Sequence, residues 1–229
     1  MPRRPILLSS AMALALMAAT AVHATTITVT LTPGSDLASG TATPAGTVLQ
    51  TFDSVTPGDQ PSGFMPVTGT EPGGGVVGAG DADSGLYAAP LGDSTAFYAV
   101  AYNPPSGPIT SASDTLTLSA PQDYFGFYWG SMDTYNTISF YDDGTLIDSF
   151  TGGISADGGD GSQTSTGSNE YADFSFAGGT YNQVVFSTSD LNFEFDNMRT
   201  RSAVPEPASF VILGTALIGL GCFGRRRAA

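Results

Sequence analysis

Lysine is missing from this chain, and histidine and cysteine each occur once among its 229 residues. The single histidine, His23, and the single cysteine, Cys222, lie in the two terminal segments. Residues 25–203 therefore contain no lysine, histidine or cysteine. That segment lacks the side chains for Ser-His-Asp, Cys-His or Schiff-base lysine catalysis. It equally lacks the ligands for zinc, haem and iron–sulfur centres.

Positive charge is scarce as well, since the chain carries 21 acidic residues and a net charge of −14. Twenty of the acids and only two arginines, Arg199 and Arg201, lie in residues 25–203, which gives that segment a net charge of −18. Nucleic-acid binding through phosphates requires basic patches, so we expect no nucleic-acid partner. The same charge disfavours a polybasic membrane-surface protein. Oxygen atoms are almost the only ligands that this segment offers.

The amino-terminal segment has the three-part layout of a secretory signal peptide. Two arginines open it, residues 6–19 are apolar, and Val22 and Ala24 stand three places and one place before the expected cut. An uncleaved membrane helix is the alternative, but the apolar run is shorter than the ~20 residues that a spanning helix needs. We predict a signal peptide over residues 1–24, cleaved after Ala24.

The carboxyl-terminal segment, residues 204–229, combines three unlike features in a fixed order. An extended Pro-Glu-Pro triplet precedes an uncharged run over residues 208–224, and an arginine triplet follows. The uncharged run would form a helix of about 25 Å, the lower limit for a bilayer, with the arginines held on the cytoplasmic side. A plain tail anchor fits this run, and so does a transient anchor that a sorting enzyme removes. The triplet favours the second alternative, because prolines hold the backbone extended for a protease cleft. The residues that carry the pattern are Val204, Pro205, Glu206, Pro207, Arg225, Arg226 and Arg227.

This tail resembles the PEP-CTERM sorting signal. The resemblance implies recognition by exosortase, a membrane-embedded protease or transpeptidase of Gram-negative bacteria that make extracellular polysaccharide. It implies export, processing near Pro-Glu-Pro, transient insertion of residues 208–224 in the inner membrane, and residence at the cell surface or in the biofilm matrix. Residues 124–140 resemble a stretch of one group of exosortase-dependent surface proteins, which supports class and location only.

Residues 25–203 are patterned as β-strands. Apolar and polar residues alternate over 26–31, 116–118, 138–140, 174–176 and 193–198, and no segment sustains a helical period. In the last run, Phe193, Phe195 and Asn197 should share one face. Asp142-Asp143-Gly144 predicts a hairpin turn with Gly144 at positive φ. Residues 56–85 and 152–169 are predicted to be long loops. Many short strands with such turns predict an all-β fold, an antiparallel β-sandwich of jelly-roll-like type over residues 25–203.

The densest aromatic cluster, residues 124–129, offers a candidate binding face. On a strand, Phe125, Phe127 and Trp129 would point into the core, which leaves Tyr124 and Tyr128 half-exposed on the other face. The tyrosine face is therefore the candidate for stacking against sugar rings.

The many carboxylates allow a calcium site, because Ca²⁺ prefers carboxylate, amide and carbonyl oxygens. Asp53 and Asp196 are the candidate ligands, since first and last strands lie side by side and share a structural calcium in many jelly-roll carbohydrate-binding modules, which this architecture resembles. The segment Asp81 to Gly85 begins like a calcium loop but lacks the closing glutamate.

Catalysis has no specific sequence signature, and we predict that the protein is not an enzyme. The hydrolase alternative requires two acids about 5–9 Å apart, and the pairs considered are Asp123 with Asp133 and Glu194 with Asp196. We predict an exported structural or adhesive component of the cell surface or exopolysaccharide matrix. The alternatives are a calcium-assisted carbohydrate-binding module and, third, a secreted glycoside hydrolase.

Overall fold

The computed structural model describes residues 25–34, 44–56, 67–69, 75–78, 87–101, 111–190 and 192–203. The predicted signal peptide (residues 1–24), the whole of the predicted sorting tail (residues 204–229) and the segment 81–85 lie outside these residues. The strands are β1 (Thr26–Pro33), β2 (Val48–Gln50), β3 (Val67–Gly69), β4 (Gly75–Val77), β5 (Phe97–Val100), β6 (Ala112–Trp129), β7 (Asn136–Asp142), β8 (Thr145–Thr151), β9 (Glu170–Ala177), β10 (Tyr181–Thr188) and β11 (Phe193–Ser202). A 3-10 turn covers Gly152–Ile154. Within the described part of the chain, no helix has the length and apolarity to span a bilayer.

The prediction of an all-β, antiparallel fold is confirmed. The strands form one continuous antiparallel sheet that wraps around a common core, and β6 holds it together. The first half of β6 pairs with β10, whereas its second half pairs with β9 and β11. The registers of β6 against β10 and against β11 both shift at Gln122, where β6 passes from one set of partner strands to the other. One 18-residue strand thus joins the two parts of the sheet.

Aromatic side chains fill the core. Phe127 of β6 lies between the ring of Trp129, at a centroid distance of 5.3 Å, and the ring of Phe174 on β9, at 6.3 Å. Phe186 of β10 stacks on Phe195 of β11 at 4.4 Å. These rings come from β6 and from three strands that follow it at a distance in sequence, so their burial stabilises the sheet as a whole rather than any single hairpin.

The predicted hairpin is confirmed between β7 and β8. Asp142 pairs with Thr145, which leaves a two-residue loop. Asp143 has φ +46° and Gly144 has φ +79°. Two positive φ values in a two-residue loop define the type I′ turn, whose twist matches that of the flanking strands. The Asn182 side chain of β10 also accepts a hydrogen bond from the Asp143 main-chain amide at Oδ1 and donates one from Nδ2 to Asp143 Oδ1.

The predicted face of β11 is correct at its start and wrong at Asn197. Phe193 and Phe195 are buried in the core, but Asn197 has φ +56° and is followed by Met198, which is buried in the same core. The register against β6 shifts between Asp196 and Arg199. This bulge inserts one residue, so the alternation changes phase at Asn197.

Candidate functional site

The outer face of the sheet carries most of the chemistry that the sequence singled out. We name the group Tyr124, Gly126 and Tyr128 of β6 with Tyr171 of β9 the outer tyrosine face. The expectation that Tyr124 and Tyr128 are half-exposed is wrong, because their exposed fractions are 1% and 0%. The Tyr128 hydroxyl donates to the Leu91 carbonyl at 2.6 Å, and the Tyr124 hydroxyl donates to Asp173. Both rings serve the protein's own packing, so sugar stacking on them gains no support from this geometry.

Gly126 makes this packing possible. A Cβ atom at Gly126 would lie 2.5 Å from the Tyr124 Oη and 2.9 Å from the Tyr171 Cε1. The two rings therefore approach the strand where it has no side chain. The Tyr171 hydroxyl donates to the Asn197 carbonyl at 3.2 Å, at the β11 bulge. The outer tyrosine face thereby connects β6, β9 and β11.

Charged groups flank the outer tyrosine face. Burial raises the pKa of Asp173, while the hydrogen bond from Tyr124 and the charge of Arg199 oppose that rise. Arg201 donates from Nε to Asp123 at 2.7 Å, and its guanidinium carbon lies 6.0 Å from the centroid of the Tyr124 ring. Both arginines of residues 25–203 are thus placed on this face.

The predicted calcium ligand Asp196 lies deep at one end of the outer face. It stands opposite Tyr128 in the β6–β11 register and is fully buried. Neither of its carboxylate oxygens accepts a hydrogen bond of ordinary geometry from the described residues. Burial and the neighbouring carboxyl of Asp93 raise the pKa of Asp196 to about 9, the nearby Asn197 amide opposes that rise, and the charge of Asp53 adds to it.

The structure brings the second predicted ligand, Asp53, into the electrostatic environment of Asp196. Asp53 is exposed in the turn that follows β2. The preceding residue, Phe52, anchors this turn, because its ring is buried 5.9 Å from the ring of Phe195. The Val55 amide closes the turn on the Phe52 carbonyl at 2.9 Å. Aromatic packing beside Asp196 thus fixes where Asp53 lies.

Sequence reasoning missed Asp93, whose carboxyl raises the pKa of Asp196 more than that of Asp53 does. The Asp93 amide donates to the Pro90 carbonyl at 2.9 Å across a turn in which Gly92 has φ +84°. Leu91 holds this turn on the sheet, since its amide donates to Asn169 Oδ1 at 3.0 Å and its carbonyl accepts from Tyr128. Asp93 Oδ1 accepts from the Thr95 amide and hydroxyl at 2.8 and 2.6 Å, whereas the buried Oδ2 has no partner among the described residues. The Pro-Leu-Gly-Asp turn was the signal available in the sequence.

The two acid pairs considered for hydrolysis differ in where the fold places them: one pair shares a strand, and the other is separated. Glu194 and Asp196 are both buried on β11, and burial raises the pKa of Glu194 to about 7. Glu194 binds the Ala88 amide at 3.1 Å and the Ser131 hydroxyl at 3.2 Å, so it ties the sheet to the segment before β5. Asp123 lies within β6, on the order of 20 Å of strand before its end at Trp129, whereas Asp133 follows that strand and forms an isolated bridge with Asp160. The structure therefore does not pair Asp123 with Asp133.

Hydrogen bonds between its own side chains and amides hold together the predicted loop over residues 152–169. Asp157 accepts from the hydroxyls of Ser165 and Ser168, and Asp160 accepts from Ser168 and from the Ser162 amide at 3.0 Å. No set of three or more His, Cys, Asp or Glu side chains forms a ready metal cage among the residues described.

A shallow depression of about 380 Å³ opens on the sheet surface, away from the outer tyrosine face. Ser113, Ser187 and Thr137 lie side by side across β6, β10 and β7 at this depression. Tyr135 borders it, and burial together with its bond to Asp133 raises the pKa of that tyrosine. The complete lining is Ser111, Ala112, Ser113, Tyr135, Thr137, Ser187, Thr188 and Ser189.

Residues 203–228 match the family model of the PEP-CTERM protein-sorting motif. The chain carries a PEP-CTERM sorting motif. The predicted recognition of the tail is therefore confirmed, and the motif marks the chain as an exported surface protein of the kind that exosortase processes.

Other comparisons add little to this. Curated proteins gave no match to the chain. The K2 cleaved adhesin domain of Lys-gingipain is a solved structure similar in shape, with 13% identity, a TM-score of 0.43, and coverage of 67% of this chain and 98% of that domain. A similarity of this strength carries no argument about function.

Proposed function

We propose that this PEP-CTERM protein is a non-enzymatic structural or adhesive component of the cell surface or exopolysaccharide matrix. The observation that carries the proposal is the sorting motif at residues 203–228, which follows directly on an aromatic-filled all-β body. We also infer a jelly-roll type of sandwich for residues 25–203. The two sets of partners along β6 support that arrangement.

Mass spectrometry of the exported protein tests delivery. We expect the mature chain to begin after Ala24 and to end near Pro-Glu-Pro, without residues 208–229. A Glu206→Ala variant should retain the tail, because the acid between the prolines is the feature a protease cleft would read. Asp190→Ala, which removes an exposed acid in the turn after β10, is the matched control and should be processed normally. Full retention of the tail in the natural protein would contradict the proposal.

Attachment and matrix assays test the role itself. Cells that lack the protein should attach less to a surface or release more matrix polysaccharide than cells that make it. Restoring the gene product should reverse the defect, whereas the Glu206→Ala variant should not. Unchanged attachment and matrix retention in cells without the protein would refute a structural or adhesive role.

Carbohydrate binding is the second candidate, and the hydroxyl-lined depression favours it. Rows of serine and threonine hydroxyls beside a tyrosine are suited to the hydroxyl groups of a neutral sugar. A polysaccharide array with the purified protein should show binding that Thr137→Val weakens, because that substitution removes one hydroxyl at nearly constant volume. Thr145→Val, in the exposed hairpin, is the control. Equal binding by the two variants would remove the depression from consideration.

A further inference from the structure

Two neighbouring side chains bury three carboxylate oxygens that accept no hydrogen bond of ordinary geometry. They are both oxygens of Asp196 and Oδ2 of Asp93, counted among the described residues. Buried polar atoms in folded proteins are almost always hydrogen-bonded, and a buried carboxylate without a partner is costlier than an unpaired amide. The pair therefore needs a positive partner, which is either a shared proton or a bound cation.

The geometry holds the two carboxylates in place from independent sides. Asp93 is fixed by its turn and by the two bonds from Thr95, so that only Oδ2 is left to face inward. Asp196 is fixed by the β11 ladder, next to Tyr128 of β6. The Leu91 carbonyl, two residues before Asp93, accepts from the Tyr128 hydroxyl, so the turn of Asp93 lies against the strand position opposite Asp196. Two acids from separate segments are thus brought together by the fold and not by local sequence.

The two arginines of the described residues lie on the outer tyrosine face. Arg201 pairs with Asp123 at 2.7 Å, and the charge of Arg199 acts on Asp173 and Tyr171. The carboxyls of Asp93 and Asp53 bring negative charge to Asp196. A cation from solution would supply a compensating positive charge.

We propose that Asp196 and Asp93 bind a divalent cation of the oxygen-preferring class, Ca²⁺ in the first place. Ca²⁺ takes six to eight oxygen ligands, so main-chain carbonyls and water complete a shell that the two side chains begin. Extracellular modules bind Ca²⁺ at roughly 10⁻⁴ to 10⁻³ M, a range suited to an exported protein. The ion would fasten the turn before β5 onto β11. This site is separate from the hydroxyl-lined depression and does not depend on carbohydrate binding.

Thermal melting of the full chain in mild detergent, in millimolar CaCl₂ and in EGTA, tests the proposal. We expect Ca²⁺ to raise the Tm by about 5 °C, as for a ligand well above its Kd acting on a domain of this size. Asp196→Asn should abolish that rise and should melt above the natural protein in EGTA, since it removes the unpaired charge. Asp93→Asn should behave likewise, and it keeps the Oδ1 acceptor for Thr95. Asp148→Asn, an exposed acid on β8, is the control and should keep the full calcium response.

The outcomes separate a cation from a proton. If Ca²⁺ leaves the Tm unchanged while Asp196→Asn melts higher in both solutions, the carboxyl pair shares a proton and the proposal is overturned. It is also overturned if Asp148→Asn loses the calcium response as fully as Asp93→Asn does. A variant that fails to fold is replaced by calorimetric titration of the natural protein with CaCl₂, where the absence of binding heat and of any Tm change refutes the site.

Discussion

The close approach of two tyrosine rings over Gly126 makes one substitution a sensitive probe of the outer tyrosine face. Gly126→Ala places a methyl group 2.5 Å from the Tyr124 Oη and 2.9 Å from the Tyr171 ring. Neither ring can retreat freely, because the Tyr124 hydroxyl bonds to Asp173 and the Tyr171 hydroxyl bonds to the Asn197 carbonyl. The substitution should therefore destabilise the sheet.

The size of the effect follows from two opposed contributions. Overpacking of this kind costs about 1–3 kcal/mol, and replacing a strand glycine by alanine returns about 0.5–1 kcal/mol. We expect a net loss of about 1–2 kcal/mol in the free energy of unfolding, or a Tm lower by about 2–8 °C. The measurement is urea unfolding followed by the fluorescence of Trp129, which lies on the same strand and is buried on its core side.

A double-substitution cycle makes the test specific. Tyr124→Phe removes the nearest atom, so Gly126→Ala combined with Tyr124→Phe should cost at least about 0.5 kcal/mol less than the sum of the two single changes. Gly153→Ala is the matched control, because the atoms nearest to its Cβ would be 3.2 and 3.6 Å away rather than 2.5 Å. It should shift stability by less than about 0.5 kcal/mol. If Gly126→Ala is as stable as the natural protein, or if the cycle is additive, the packing argument is wrong.

Three further predictions concern other parts of the sheet. Burial raises the pKa of Glu170, so the native state holds its proton more tightly than the unfolded chain and stability falls as pH rises above the ordinary carboxyl value. Glu170→Gln should therefore melt higher than the natural protein at about pH 8 and equally at about pH 4, and a gap that widens toward acid would contradict this. Gly144→Ala should cost about 1–2 kcal/mol in urea unfolding, since nothing obstructs its Cβ and only the positive φ opposes it; Thr145→Ala, its neighbour, should cost less. Leu146→Lys should leave the Tm unchanged, because that side chain is 52% exposed, and a clear loss would show that this edge is covered.

Local pattern was sufficient to predict much of the fold. The alternation over residues 26–31 appears as β1, and the Asp-Asp-Gly signal appears as the type I′ turn between β7 and β8. Both structures are determined by residues that are neighbours in sequence, through the alternation of apolar and polar side chains along a strand and through the residue types of the turn. The core side of β6 was predictable for the same reason.

The failures have a common physical origin in long-range contacts. Tyr124 and Tyr128 were expected to be half-exposed. The segment before β5, which covers Tyr128, lies in a Pro- and Gly-rich region with no periodic signal, and the partner of Tyr124 is Asp173 on β9. Asp93 is about a hundred residues from Asp196, and only the long-range pairing of the sheet brings their segments together. Asn197 changes the phase of β11 through a single positive φ, which an alternating sequence does not reveal.

The position of β11 places the end of the sheet next to the sorting signal. This strand pairs with β2, β5 and β6, so the sheet is complete only when residues 193–202 are in place. The Ala203 amide bonds to the Pro121 carbonyl at 3.0 Å, and the three residues from there to Glu206 can span at most about 10 Å. In the proposed delivery, an enzyme that reads Pro-Glu-Pro would therefore act within that distance of a strand that three others hold in place.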